Sequence, residues 1–322
     1  MKKRALVIVA ALIVALVAGE IVVRVTNVDW RYTKASLYYN GADVPAHEPF
    51  DDPLMLFRQR PGDYNIFEHQ VHVNDLHHRG PDRSARKPAG VYRIIVLGGS
   101  NVYGEWLDDN QTWPARLEQQ LAATHKAPIE VWNLGTPSYV GTQMARRAER
   151  AMAYEPDLIL FALSNGRMRG FLKDHPVEPF FARYPWLWFD MVIDPRFDVL
   201  PGDLDIWLVD HSRFYREALI ALTEKWGTAS YLLPHHEPRN AHDVHRFLKN
   251  AAGKVAVGVF LCPAVPPETY ERYHAGLDVP VLTLSPEGLD AEYRAIHPPA
   301  HVMEWYAAQL APWIEDNFDL PE

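Results

Sequence analysis

From Val91 onward the chain alternates between two patterns. Short runs of consecutive apolar residues fall at 92–98, 129–134, 157–164, 255–262 and 279–284, and each reads as a strand buried on both faces. Between and after them, stretches at 112–125, 142–154, 211–226, 240–252, 266–275 and 300–317 repeat their apolar positions at helical spacing. Asp210-His211-Ser212 and Asn240-Ala241-His242-Asp243 have the polar composition of helix starts. Strands alternating with helices predict a parallel sheet covered by helices on both faces. There is no internal repeat and no low-complexity tract.

Two segments depart from the alternation. Residues 24–90 lack sustained periodicity and are broken by Pro45, Pro49, Pro53 and Pro61, with Tyr38, Tyr39, Phe57, Tyr64 and Phe67 as apolar anchors. They read as a stalk followed by short strands packed on the main domain, with Pro81 to Gly90 as a charged linker. Residues 167–209 carry Phe171, Phe180, Phe181, Tyr184, Trp186, Trp188, Phe189 and Trp207. This insertion follows the third strand and so leaves the sheet at one edge. Its aromatics suit either a small core of its own or a cap over a substrate pocket.

The N-terminus bears on the compartment. Lys2-Lys3-Arg4 precede an uninterrupted apolar and small-residue run from Ala5 to Gly19, and Ile21-Val22-Val23 resume it after Glu20. A cleaved signal peptide needs a small-residue site, for which Val17-Ala18-Gly19 is an imperfect match. A transmembrane signal anchor needs about 20 apolar residues, which 5–23 supply if Glu20 lies at the outer interface. The run continues past the weak cleavage site, which favours the anchor. Either way the basic end stays in the cytoplasm and the body lies outside it. The expected organisation is therefore an anchor at 1–23, an extension at 24–90 and a main domain at 91–318.

Composition excludes some functions. The 322 residues carry a formal net charge of −9, with no long basic run beyond the first four positions. Nucleic-acid binding needs a concentrated basic surface and is not expected. The single cysteine, Cys262, sits in an apolar strand and reads as a small buried hydrophobe. His77-His78, and His235-His236 with His242 and His245, match no strong metal-ligand spacing, so neither a metal nor a cofactor is expected.

The candidate chemistry begins in Tyr92-Arg-Ile-Ile-Val-Leu-Gly-Gly-Ser-Asn-Val-Tyr-Gly104, where a buried strand ends at Gly98-Gly99 and presents Ser100 at its carboxyl end. Ligands bind at that edge of open α/β sheets. A serine there is a candidate nucleophile if a histidine can take its proton. Glycine-serine turns also begin ordinary helices, so the segment alone leaves both readings open. A second strand closes at Val131-Trp-Asn-Leu-Gly-Thr-Pro137, and a third at Leu158-Ile-Leu-Phe-Ala-Leu-Ser-Asn165. His297-Pro298-Pro299 precedes the last helix.

In this order and at these strand ends, the four elements resemble the SGNH (GDSL-type) hydrolase and acyltransferase family. Its serine, glycine, asparagine and histidine fall on Ser100, Gly135, Asn165 and His297. The resemblance extends to Thr112-Trp113-Pro114-Ala115-Arg116-Leu117-Glu118. It also takes in Val73-Asn74-Asp75-Leu76-His77-His78-Arg79-Gly80, similar to the lead-in of membrane-anchored bacterial members. It implies a three-layer α/β/α flavodoxin-like fold with about five central parallel strands. It implies Ser100 as nucleophile and His297 as base, with Ser100 N–H, Gly135 N–H and the Asn165 amide as oxyanion donors.

The sequence departs from the family at three places. Gly98-Gly99-Ser100 replaces Gly-Asp-Ser, and Leu163-Ser164-Asn165-Gly166 alters the asparagine block. At the position of the family's orienting aspartate, three residues before the histidine, stands Arg294, which cannot accept an imidazole N–H. Either Asp290 or Glu292 supplies the acid, or a backbone carbonyl orients His297, or the site is inactive. The expected function is an envelope esterase or O-acyltransferase acting on acylated carbohydrate or another ester, with a membrane acyl-donor protein as partner if the reaction is transfer. The alternative is a non-catalytic relative that binds glycan or a partner protein.

Overall fold

The computed structural model describes residues 2–26, 46–50, 57–137, 139–164, 237–264 and 267–321, with positions 52, 55 and a few between 204 and 218. The aromatic segment 167–209 lies almost wholly outside these residues, as does Asn165, and the helix expected at 211–226 is described only at 211–215 and 218.

The N-terminal run forms one helix, α1 (Lys2–Thr26). It has no polar stripe, and Leu6, Val7, Ile13, Val14, Leu16 and Val17 are exposed along it. Among the described residues no helix is long and apolar enough to cross a membrane. Side chains 2, 5, 8, 9 and 12 of α1 lie outside that set. At the far end of α1, Glu20 accepts hydrogen bonds from Ser212 Oγ (2.8 Å), Phe214 N (3.0 Å), Arg213 N (3.2 Å) and Arg24 Nε (2.7 Å).

The extension folds into two antiparallel hairpins. Strand β1 (His47–Pro49) pairs with β2 (Phe57–Gln59), and β3 (Gly62–Ile66) with β4 (His69–Val73). Bridges from Val73 to Arg79 and from Arg79 to Asn133 fasten this layer to the edge of the main sheet.

The main sheet contains β5 (Tyr92–Gly98), β6 (Ile129–Gly135), β7 (Leu158–Leu163), β8 (Ala256–Leu261) and β9 (Val281–Thr283). All pairings are parallel, in the order β6-β5-β7-β8-β9. Counted along the sheet's own strands this is 2-1-3-4-5, the flavodoxin-like order. The helices around it include a single turn α2 (Ser100–Tyr103), then α3 (Trp113–Thr124), α4 (Gly141–Ala151), α5 (Glu237–Ala251), α6 (Glu271–His274) and α7 (Ala300–Asn317). Pro114 opens α3, where its missing N–H costs no helix bond. Two expected elements differ in length. The helix expected at 266–275 is a short 3₁₀ turn (Pro267–Tyr270) running into α6, and the last strand keeps only three residues.

Strand alternation sorts the core into two layers. Ile95, Leu97, Ile159, Phe161 and Val259 face one side, against Met144, Ala145 and Ala148 of α4 and Val244, Phe247 and Leu248 of α5. Ile94, Val96, Leu158, Leu160 and Phe260 face the other, against Trp113, Leu117 and Leu121 of α3 and Val302, Met303, Tyr306 and Leu310 of α7. Helices on both faces of a parallel sheet make three layers. The carboxyl ends of β5, β6, β7 and β8 open on one edge.

Candidate active site

Two glycines bring the nucleophile's turn against the strand ends. Gly98 and Gly135 are register partners at the tips of β5 and β6. A β-carbon on Gly98 would overlap the Val102 side chain, and one on Gly135 would overlap the backbone of Val102 and Tyr103. Helix α2 therefore starts directly on the sheet edge with Ser100 as its first residue. Its N–H groups point out of the first turn, where a helix has no internal acceptor for them.

Arg79 holds the other end of α2. It is 3% exposed and donates from Nη1 to Tyr103 O (2.8 Å) and Gly104 O (2.7 Å) and from Nη2 to Leu107 O (2.5 Å). Its Nε pairs with Asp109 at 2.7 Å. The lead-in segment thus supplies the cation that satisfies the terminal carbonyls.

His297 reaches Ser100 from 197 residues away, with Nε2 at 2.7 Å from Oγ. The ring is partly buried, and desolvation pushes its pKa down to about 4, because burial penalises the charged imidazolium. It is neutral at pH 7, the form that accepts a proton. Asn101, fully buried, donates from Nδ2 to Ile296 O at 3.1 Å, and Cys262 Sγ lies 3.6 Å from Asn101 Oδ1. Burial holds the Cys262 thiol in its protonated form.

The carboxylates expected near His297 lie elsewhere. Glu292 pairs with His301 at 3.1 Å, both side chains being well exposed. Asp290 is exposed and precedes the 3₁₀ turn Ala291–Arg294, accepting Tyr293 N through its backbone carbonyl. Arg294 turns outward and donates to Pro286 O (2.9 Å) and Leu289 O (3.3 Å). It lines a cavity of about 590 Å³ with Leu261, Cys262, Pro263 and Leu284 at the ends of β8 and β9. Among the described residues His297 Nδ1 has no hydrogen-bond partner.

A different acid approaches the histidine. Glu105, 6% exposed, places Oε2 at 3.2 Å from Nε2, the same nitrogen that faces Ser100. The sequence reading missed it, because it sits just past the single turn of α2 in no recognisable spacing. Its backbone N–H, bonded to Ser100 O at 3.2 Å, folds it back onto the serine. Trp106 beside it has a positive φ of 65°, an uncommon conformation for a large residue, and packs edge-on to the His297 ring at 4.8 Å.

Gly135 occupies the expected strand end, but its N–H donates to Asn133 Oδ1 at 2.9 Å. The Asn133 amide in turn donates to Val102 O at 2.8 Å. In this arrangement Gly135 is where the α2 backbone approaches the sheet, and its N–H already has an acceptor. The third expected donor, Asn165, lies outside the described residues; Ser164 before it is buried.

Sheet order and pairing coincide here: a serine follows the first core strand of a 2-1-3-4-5 sheet and meets a histidine that precedes the last helix. This is the three-layer flavodoxin-like fold that the SGNH resemblance implies. No family model and no curated protein sequence matches the chain. Among solved structures it is similar to the psychrotrophic esterase EstA from Pseudoalteromonas sp., at 10% identity over 70% of this chain and 97% of that one, with a TM-score of 0.39. It is also similar to the lipase/acylhydrolase from Enterococcus faecalis, at 13% identity over 70% and 96%, with a TM-score of 0.38. A third is AlinE4, an SGNH-hydrolase family esterase, at 12% identity over 71% and 98%, with a TM-score of 0.33.

Proposed function

We propose that the chain is a serine ester hydrolase or O-acyltransferase that works through an acyl-serine intermediate. The observation that carries this reading is the 2.7 Å approach of His297 Nε2 to Ser100 Oγ at the carboxyl edge of the sheet. Ser100 Oγ attacks the acyl carbonyl carbon while its proton moves to His297 Nε2. The oxyanion meets the N–H groups at the start of α2. Collapse expels the alcohol, which takes the proton from Nε2, and leaves the acyl group on Ser100. Water or an acceptor hydroxyl then gives its proton to Nε2 and attacks the acyl carbon; the Oγ–acyl bond breaks and Ser100 Oγ takes the proton back, giving hydrolysis or transfer.

Glu105 supports the proton step. Once Nε2 carries the proton, the positive ring lies 3.2 Å from the Glu105 carboxyl group, and an ionised carboxylate there would favour the charged ring against desolvation. The carboxyl thereby takes over the charge role of a triad acid from the Nε2 side.

The proposed substrate is an O-acylated envelope carbohydrate, and the proposed location is the extracytoplasmic face of the inner membrane with α1 as anchor. The resemblance of residues 73–80 to anchored bacterial members supports the first. The all-round apolar α1 and the hydrogen-bonded Glu20 at its end support the second, since a charge at a span's edge needs partners.

The test is turnover of 4-nitrophenyl acetate and acetylated oligosaccharides by the full chain in detergent. Ser100→Ala and His297→Ala should each lose at least about 1,000-fold in kcat. A rival reading, a glycan-binding protein without catalysis, draws on His297 Nδ1, which has no partner among the described residues. It is favoured if wild type and both variants bind acetylated glycan equally and none turns over any ester.

A further inference from the structure

A second polar cluster lies outside the serine site and shares none of its residues. A cavity of about 70 Å³ opens between the N-terminal hairpins and α4, lined by Phe50, Arg58, His77, His78, Arg147 and Arg150 among others. Arg147 is 4% exposed and donates to Thr136 Oγ1, to His77 O (2.8 Å) and to His78 Nδ1 (3.0 Å). All three acceptors are neutral. Among the described residues no carboxylate lies within ion-pairing distance of Arg147. A buried cation in that condition lacks the counter-charge that ordinarily accompanies one.

His78 adds an independent observation. Because Arg147 donates to its Nδ1, the neutral ring carries its proton on Nε2. Burial, and then the Arg147 charge, hold His78 well below its ordinary pKa, so the ring is neutral. Its Nε2 is buried and has no hydrogen-bond partner among the described residues. Beside the cavity, then, stand a buried N–H donor without an acceptor and a buried guanidinium without a carboxylate partner among the described residues.

Two more arginines line the rim, each with a carboxylate partner. Arg58 and Arg150 stand over the Phe50 ring at 4.6 and 4.8 Å. The nearby acids are already engaged: Glu48 with Arg58 at 2.7 Å, and Asp52 with Arg146 at 2.9 Å and Arg150 at 3.7 Å. What fits is small, negatively charged and composed of acceptors. Cavity size agrees, since one water needs about 10–15 Å³ of such volume and a tetrahedral oxyanion a few times that.

We propose that this cavity binds a small oxyanion, phosphate or sulfate, held by Arg147 and His78 and screened at its mouth by Arg58 and Arg150. Filling it would tie the hairpin layer to α4 and to the loop after β6, through Thr136.

The test is calorimetric titration and thermal unfolding of the full chain in detergent, with sodium phosphate, sodium sulfate and sodium chloride at matched ionic strength. Saturating phosphate or sulfate should raise Tm by about 3–6 °C over chloride. Arg147→Met should abolish the shift. Should that variant fail to fold, Arg58→Gln and Arg150→Gln alter only the rim, and together they should weaken phosphate binding at least about tenfold. An equal shift with chloride, no shift with either oxyanion, or unchanged binding in the rim variants would overturn the proposal.

Discussion

The side-chain amide of Asn101 donates to the carbonyl of Ile296, so the residue after the serine holds the residue before the histidine. This bond links the start of α2 to the loop ahead of α7 across the whole sheet edge. Both members of the Ser100–His297 pair are thereby flanked by one part-buried hydrogen bond. Asn101→Ala should lower kcat by about 10- to 100-fold with little change in KM. It should also cost about 1–3 kcal/mol in stability, because the Ile296 carbonyl loses its partner. Steady-state kinetics and urea unfolding of the same preparation separate the two effects.

The two strand-end glycines make a paired prediction with Gly99. Gly135→Ala forces a β-carbon into the backbone of Val102 and Tyr103, and should destabilise the fold by about 2–3 kcal/mol or more. Gly99→Ala meets only ordinary contact, with Tyr139 O at 3.5 Å, and should change the urea midpoint little. Equal tolerance of both would show that α2 does not start on the sheet edge.

Histidine burial sets the pH dependence. His47 and His297 are pushed down to about 4 and His78 well below its ordinary value, desolvation being the first cause in each. Between pH 6.5 and 4 the unfolded chain takes up protons at these positions that the folded chain refuses. Stability should therefore fall as pH drops through that window, by on the order of 2 kcal/mol at pH 5 for each of His47 and His297. Above pH 6.5 these groups contribute no slope. The acid limb of kcat/KM should likewise lie near pH 4; a midpoint at 6.5 would mean that His297 is solvated in the working enzyme.

Glu105→Gln replaces the carboxyl group 3.2 Å from His297 Nε2 with an amide of the same shape. Turnover should drop about 10- to 1,000-fold, and the acid limb should move to lower pH, since the ring loses the group that favours its charged form. Glu292→Gln and Asp290→Asn, whose side chains are exposed and away from the histidine, should leave both unchanged. An unshifted pH profile in Glu105→Gln would reduce Glu105 to a packing role.

The sheet was legible because its central strands are buried on both faces and so appear as unbroken runs, as in Ile94-Ile95-Val96 and Leu158-Ile159-Leu160. Ser100 and His297 were legible because strand ends and a helix start leave local marks. Side-chain direction leaves none. Arg294 stands at the family's acid position, yet its guanidinium turns outward to Pro286 and Leu289. Gly135 ends the strand as read, but Asn133 two residues earlier takes its N–H. Glu105 acquires its place only because α2 stops after one turn and folds the next residues back over the serine. Arg147 and His78, spaced far apart in sequence, meet only once the hairpin layer closes on α4.

The most direct test of the serine chemistry is covalent labelling by a fluorophosphonate probe, read by intact mass and peptide mapping. The phosphonyl group should add once, on Ser100 Oγ, with loss of fluoride. Labelling should vanish in Ser100→Ala and slow by at least about 100-fold in His297→Ala, where no base takes the proton. A wild-type chain that stays unlabelled, or that labels at another serine with Ser100 untouched, would contradict the account.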